Sequence, residues 1–253
     1  MNETSRIWIG RVAVAAGIIL LWQFLPIDSF WLSTPAKIAA YIGDELQHGK
    51  LLADLGLTAR ETATGYVGGA ILGLLFGVAI AQSERAAMIL RPFILAIDGV
   101  PRIALAPIFI LWFGISFLSK VYLAGLMTFM LVFLNAYEGV RASDPDLRNV
   151  ARVLGASRWQ MFWQVTLPNA SPWIISGLRI AIPQALAATV VAEFIASTGG
   201  MGYFIMQANS ALNTTGTMAG IVILMIIVVV LNFILDAIER RVLRWRPRVR
   251  GAK

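Results

Sequence analysis

Cysteine is missing from all 253 residues, and histidine appears once, at His48. The first absence excludes disulfides and thiolate metal sites. The second leaves His48 without a histidine partner for a metal site or a catalytic pair, so a solvated polar residue is its default reading. Charge is scarce as well. Asp, Glu, Lys and Arg make up 14% of the chain, against about 25% in average soluble domains. No Walker A loop, dinucleotide fingerprint or zinc-protease motif is present. The chain therefore has no evident ATP site of its own, and neither a metal nor a bound cofactor is expected on it.

In place of charge there is apolar sequence, 58% of the chain. A soluble core needs less, and the composition points to an all-α, polytopic membrane protein. Residues 1–6 are polar, and Val12 to Ile27 is an uncharged run that reaches spanning length together with Ile7–Arg11. A secretory signal peptide competes for this segment, but no small-residue cleavage site follows before Phe30 and Trp31. After Thr34-Pro35, apolar Ile38, Ala39, Ile42 and Leu46 recur at helical spacing. That fits either an amphipathic helix along the membrane surface or a short helix packed on the spans. Thr62 to Ser83 is a second span, whose Gly69, Gly73 and Gly77 form a small-residue ridge for close helix packing. Met88 to Phe117 is too long for one plain span and is interrupted by Pro92, Asp98-Gly99, Pro101-Arg102 and Pro107. Proline and charge at membrane depth are tolerated where a helix faces protein or a wet cavity, so a broken, pathway-lining element is expected here. Val121 to Tyr137, Pro168 to Ser197 and Gly216 to Leu235 complete about six spans, with a Gly/Ser/Thr/Asn-rich loop between Ser197 and Thr217. The expected organisation is a first span with an external amphipathic segment over 1–57, a core of five spans over 58–245, and a basic tail over 246–253.

Six spans put both ends on one side, and basic residues decide which. Arg6, Arg11, Arg85, Arg91, Arg141, Arg148, Arg152, Arg158 and the tail fall on one side, while Lys37, Lys50, Arg60 and Lys120 fall on the other. The arginine-rich side is cytoplasmic by the positive-inside rule. Seven of the 21 basic residues lie between Arg240 and Lys253. Such a tail can bind nucleic acid, but behind a long apolar segment it reads as a cytoplasmic membrane flank. No nucleic-acid partner is expected.

The polar interruption from Ser143 to Arg179 carries a helix plan of its own. Asp144 can cap a helix whose first turn holds Pro145 and Asp146. Leu147, Val150, Ala151 and Leu154 then repeat at i, i+3, i+4 and i+7 as one apolar stripe. Gly155 suits the left-handed residue that ends such a helix. Ser157 can cap a second short helix with Trp159, Phe162 and Trp163 on one side, and Pro168 and Pro172 punctuate the entry to the next span. The plainest reading is a cytoplasmic loop with two surface helices.

The spacing, however, resembles the EAA loop of inner-membrane permeases of ATP-binding-cassette (ABC) importers: E-A-A, three residues, G, nine residues, I, one residue, L-P. Asn149-Val150-Ala151 stands at the E-A-A positions, Gly155 at the glycine, and Val165, Leu167 and Pro168 at the end. Asn149 replaces the Glu and Val150 the first Ala, so the charge contact of that Glu has no carboxylate here. The resemblance extends from about Ser33 to Trp245. The segments PRIALAPIFILWFGIS and VVAEFIAS look like the subgroup that imports nitrate, sulfonates, taurine, bicarbonate and related solutes. It implies the type I ABC importer permease fold in the bacterial inner membrane. By resemblance, Leu147, Asn149, Val150, Ala151, Leu154, Gly155, Ser157, Trp159, Val165, Leu167 and Pro168 form the coupling surface for an ATPase subunit. The implied partners are a second permease copy (a homodimer preferred over a heterodimer), two cytoplasmic ATPases that bind ATP and magnesium, a periplasmic or lipid-anchored binding protein, and membrane lipid. The solute expected is a small anion; a neutral heterocycle such as a pyrimidine is the alternative.

Four residues are candidates for the path itself: Asp98, Arg102, Gln184 and Glu193. Met88 to Arg102 as one helix would span roughly 21 Å at 1.5 Å per residue, placing Arg102 well inside the membrane. Asp98, four residues earlier, can pair with it. Arg102 then serves either a passing anion or an ion pair at the Pro101 bend. Glu193 either lines a gate or caps a helix terminus. Gln184, Thr189 and Asn135 are weaker, since single uncharged polar groups often just bond a neighbouring helix. A secondary transporter or channel would give similar spans but no reason for the Ala151–Gly155–Leu167–Pro168 constellation. A membrane-embedded enzyme would need paired carboxylates or a histidine cluster in the spans, where none is legible.

Overall fold

A computed structural model describes residues 3–26, 28 and 30–242, and every regular element among these is helical. The order is α1 (Glu3–Phe24), α2 (Pro35–His48), α3 (Leu51–Ala81), α4 (Glu84–Asp98), a tight 3₁₀ turn (Arg102–Leu105), α5 (Ala106–Phe113), α6 (Phe117–Arg141) and α7 (Pro145–Val153). The one-turn α8 (Arg158–Gln160) runs through a π turn (Met161–Thr166) into α9 (Leu167–Ile195), and α10 (Met201–Ser210) and α11 (Thr214–Val242) follow. The basic tail expected at 246–253 lies outside the described residues. The division expected at residue 57 falls inside α3, which runs unbroken across it.

Among the described residues, four helices are long and apolar enough to cross a membrane: Leu51–Ala81, Phe117–Arg141, Arg158–Ile195 and Thr214–Ala237. The pair Glu84–Asp98 and Arg102–Phe113, bent by 79°, makes a fifth if it is one broken span. The first expected span is present as the 22-residue α1, but its apolar part, Ile9–Phe24, is shorter than that measure requires. Six expected spans thus stand as four or five by length and composition.

The core is α3, α6 and α9, and the α3–α6 seam shows why glycine recurs every fourth residue. A Cβ built on Gly65, Gly69, Gly73 or Gly77 would lie 2.6, 2.3, 2.6 and 2.6 Å from the carbonyl oxygens of Val121, Gly125, Phe129 and Phe133. Hydrogen is the largest substituent that fits, and the ridge lets two backbones touch, as lipid-embedded helices require in the absence of a hydrophobic driving force between them. Gly177 seats against Asn135 and Gly139 against Trp173, which brings α9 onto the other side of α6. The Tyr66 hydroxyl donates to the Leu178 carbonyl at 3.0 Å, tying α3 to α9. Outward from this core, Val67, Ile71, Leu75 and many other large apolar side chains are exposed, as a lipid-facing surface demands.

Two local expectations change. Helix α2 packs on the spans: Ile38 is buried, and Tyr41 and Ile42 lie against a cluster of Leu51, Met201, Phe204, Ile205 and Ile223. The Ser197–Thr217 segment is no plain loop, because α10 occupies its middle. Met201, Phe204, Ile205 and Ala208 repeat at i, i+3, i+4 and i+7, and all four are buried.

Candidate functional site

The 143–167 loop is rigid by its own hydrogen bonds. The Asp146 amide donates to Asp144 Oδ1 at 2.9 Å and caps α7. At its other end, the Gly155 amide donates to the Arg152 carbonyl and the Ala156 amide to the Ala151 carbonyl, both at 3.0 Å. With Gly155 at φ +79° this is a Schellman ending, which needs a residue free to adopt positive φ. Ser157 and Gln160 then form a reciprocal capping box that starts α8. The π turn follows, with the Leu167 amide donating to the Phe162 carbonyl, and the chain enters α9. Pro172 has no amide for the Pro168 carbonyl, and the Ser171 hydroxyl takes that acceptor at 2.7 Å. The outcome is one continuous helix from Arg158 to Ile195, rooted in the loop.

This loop points apolar side chains away from the protein. Leu154 is 81% exposed, Val153 87% and Trp159 69%. Leu147, Val150 and Trp163 are exposed too. Asn149 and Ser157 are exposed, Ala151 and Val165 half-buried. Phe162 and Leu167 instead turn inward, against the cluster of Val78, Ala136, Tyr137, Val140 and Ile174. Phe162, expected on one side with Trp159 and Trp163, parts from them as a packing residue: the wider π turn rotates it toward the spans.

The broken pair α4–α5 changes the reckoning for Arg102. The helix stops at Asp98 and the chain turns sharply before Arg102, so depth cannot be counted at 1.5 Å per residue through this point. Arg102 does pair with Asp98, its Nη2 bonding both the carboxylate and, at 3.1 Å, the Asp98 carbonyl. Its Nε is buried and has no partner. Arg102 and Gln184 line one cavity of about 280 Å³ with Met127, Leu131 and Ile180. A guanidinium with a spare donor beside a carboxamide can receive an oxyanion.

Glu193 is elsewhere. It is 1% exposed at the far end of α9, opposite the loop. Its Oε1 accepts from Thr58 Oγ1 at 2.7 Å and its Oε2 from the Gly202 amide at 2.6 Å. The Met201 amide donates to Thr58 Oγ1 and the Gly200 amide to Asp54 Oδ1, each at 2.7 Å. These acceptors cap α10 and hold it to α3 and α9. Glu193 thus caps a helix, the second of its two readings. Around it lie two charges that sequence reading missed, Glu61 and Lys120, each 2% exposed, both interacting electrostatically with Glu193. Thr62 donates to Thr189 at 3.0 Å beside them. Thr189 donates onward to the Ala185 carbonyl, and Asn135 to Leu131 within its own helix. Arg179 pairs with Asp236 at 2.5 Å between α9 and α11.

A bundle of apolar helices, a capped loop with an exposed apolar face and a polar cavity at a broken helix fit a membrane permease. Among the described residues no cluster of His, Asp or Glu suited to a metal ion occurs. The family model for the binding-protein-dependent transport system inner membrane component matches residues 69–245, and the chain belongs to that family, the permeases of ABC importers. It is 34% identical over 248 residues to an aliphatic sulfonates transport permease protein, SsuC, of Bacillus subtilis (strain 168), covering 96% of this chain and 90% of that one. It is 37% identical over 179 residues to the taurine transport system permease protein TauC of Escherichia coli (strain K12), covering 71% of this chain and 65% of that one. The fold matches the inward-facing MetNI methionine ABC transporter with a TM-score of 0.68 at 19% identity, over 78% of this chain and 98% of that one.

Proposed function

We propose that this permease forms half of an import path for a small sulfonate-type anion. Two copies make the path, two separate ATPases bind ATP and magnesium, and an external binding protein delivers the solute. Both termini and the 143–167 loop face the cytoplasm. The arginine asymmetry supports that orientation, and the burial of Lys120 sharpens it by removing one cation from the opposite flank. The exposed face of Leu147, Val150, Val153, Leu154 and Trp159 receives a groove of the ATPase. The force has a direct route, since Arg158 to Ile195 is one helix that carries Gln184 in the cavity and Glu193 at the far end. Movement of the loop on ATP-driven closure then tilts the wall of the path as a lever.

The observation that carries the anion reading is Arg102, with its Nε unpaired, facing the cavity it shares with Gln184. The names of the two relatives, for aliphatic sulfonates and for taurine, support the same class. The test is uptake of radiolabelled taurine and ethanesulfonate by vesicles holding the full importer. Arg102→Gln is expected to abolish uptake while the ATPase stays bound, and Arg102→Lys to keep part of it, because a point charge still attracts an anion. Full uptake by the double variant Asp98→Asn/Arg102→Gln would remove Arg102 from the path. Binding of a neutral pyrimidine, and of no sulfonate, by the cognate binding protein would overturn the solute class.

A further inference from the structure

Behind the loop, on the side away from its exposed apolar face, lies a recess of about 910 Å³. It opens between the last turn of α3, the last turn of α6 and the loop itself. Four arginines line it, Arg141, Arg148, Arg152 and Arg158, against one carboxylate, Glu84. Arg148 and Arg152 stand four residues apart, on the face of α7 opposite Val150 and Val153, so they turn to the recess as a pair.

These guanidiniums have donors to spare. Arg148 spends Nη2 on the Val140 and Ser143 carbonyls at 3.1 and 3.0 Å, closing the end of α6, but its Nε is buried without a partner. Arg152 has one long contact, Nη1 to Asn149 Oδ1 at 3.5 Å. Arg141 and Arg158 make no hydrogen bond or ion pair among the described residues. Ser143, which also lines the recess, is 3% exposed, and its hydroxyl is buried with no partner. A buried, unpaired hydroxyl costs the native state unless something bonds it. Cations from three separate elements, converging on a concave space with orphaned donors, match an anion that offers several oxygens in different directions.

We propose that this recess is a phosphate-binding site, which Arg141, Arg152, Arg158 and Ser143 close around one phosphate group. The group comes either from an anionic phospholipid headgroup or from free phosphate. The recess sits where three helix ends leave the apolar zone, the depth at which basic pockets between helices take anionic headgroups. An acidic surface of the ATPase is the competing occupant, but the outward face of the same loop already offers that partner Val153 and Leu154. The inference rests on the docking reading only in taking that outward face as covered. Occupancy would fix Arg152 and Arg158 to the span ends, and with them the angle at which α7 stands.

The test is calorimetric titration of the full chain in neutral detergent with short-chain phosphatidylglycerol, short-chain phosphatidylcholine and inorganic phosphate. Saturable binding of phosphatidylglycerol but not phosphatidylcholine or phosphate assigns the site to a lipid headgroup. Binding of inorganic phosphate with equal strength assigns it to the free ion. Either supports the proposal if Arg141→Gln/Arg158→Gln weakens it by about tenfold or more, as loss of charge-assisted contacts implies, and Arg60→Gln, at the other end of the molecule, does not. Should the double variant fold poorly, Ser143→Ala and Arg158→Gln singly are each expected to weaken binding about threefold to tenfold. No binding by wild type, or equal binding by all these variants, overturns the site. Loss of ATPase co-purification in the arginine variants with no change in phosphate or lipid binding assigns the recess to the ATPase instead. ATPase retention reports separately on the docking reading.

Discussion

The two ends of this helix bundle treat polar groups in opposite ways. At the far end, Glu61, Lys120 and Glu193 are sealed inside, and Asp54, Thr58 and Glu193 take up the free amides of α10. At the loop end, Arg141 and Arg158 have no ion pair among the described residues and stand with Arg148 and Arg152 around an open recess, while Val153 and Leu154 project outward. Burying charge in a low-dielectric interior is costly unless it is offset, and at the far end the offsetting groups come from this chain, with Glu61 Oε2 alone among these carboxylate oxygens lacking a hydrogen bond. Exposed apolar side chains beside unpaired cations describe the reverse, an end whose partners come from elsewhere. The lesson is about where this permease is closed by itself and where by assembly. Substitutions at the far end should act on the chain's own stability, and those at the loop on what binds it.

The largest effect is expected from Lys120→Met. It removes the buried cation that interacts electrostatically with Glu61 and Glu193, and loss of one member of a buried charge cluster costs up to about 3–5 kcal/mol. Denaturant unfolding in detergent should show a loss of that size, with Lys120→Met/Glu61→Gln recovering part of it. An unchanged midpoint would mean that the far end is not held by this charge cluster. A smaller cost is expected from Gly155→Val. Nothing lies within 4 Å of a Cβ built there, so no clash arises, and only the positive φ of 79° opposes the change. That strain is about 1–2 kcal/mol for a non-glycine residue, enough to reshape the loop without unfolding the spans. Co-purification of the ATPase should fall sharply while insertion is normal. A chain that keeps its ATPase would take rigidity of the turn out of the docking.

Why one end was legible and the other not follows from what each is made of. The loop's caps, its apolar stripe and its glycine are local, and spacing alone predicted them; the φ of Gly155, the Asp144 cap and the Ser157 box are all present. Phe162 failed because a π turn shifts the helical phase, and no residue pattern announces that shift. At the far end the error came from defining a span as a charge-free run. That definition started the second span at Thr62 and the fourth at Val121, leaving Glu61 and Lys120 just outside by construction. Helices α3 and α6 begin at Leu51 and Phe117, so both charges are inside their helices. Their partners lie far away in sequence, on α9, and no local pattern reveals such a cluster. Helix α10 was legible from its i, i+3, i+4, i+7 stripe but was hidden by its Gly, Ser and Asn neighbours.

A third test trims the exposed apolar face. Val153→Ser/Leu154→Ser should change the chain's own stability by no more than about 0.5 kcal/mol, because both side chains are exposed and the bonds that end α7 are made by backbone groups that serine keeps. ATPase retention should nevertheless be lost. A fall in stability as large as that of Lys120→Met would erase the contrast between the ends.

The smallest effect is expected from Asn149→Glu, which supplies the carboxylate that the resemblance to the EAA loop implies at this position. The present contact is Asn149 Oδ1 with Arg152 Nη1, exposed and long at 3.5 Å. A glutamate would turn it into an i, i+3 ion pair, which on an exposed helix contributes about 0.2–0.5 kcal/mol and weakens with salt. The unfolding midpoint should hardly move. If docking rests on the apolar face, ATPase retention at physiological salt should stay within about twofold of wild type. The same glutamate would draw Arg152 from the recess and lower phosphate binding there, so the one substitution separates the two faces of α7. A several-fold gain in ATPase retention at low salt, lost at high salt, would show instead that a missing charge limits docking. The loop would then be an electrostatic surface in its own right, and the opposition between a charged far end and an apolar docking end would give way.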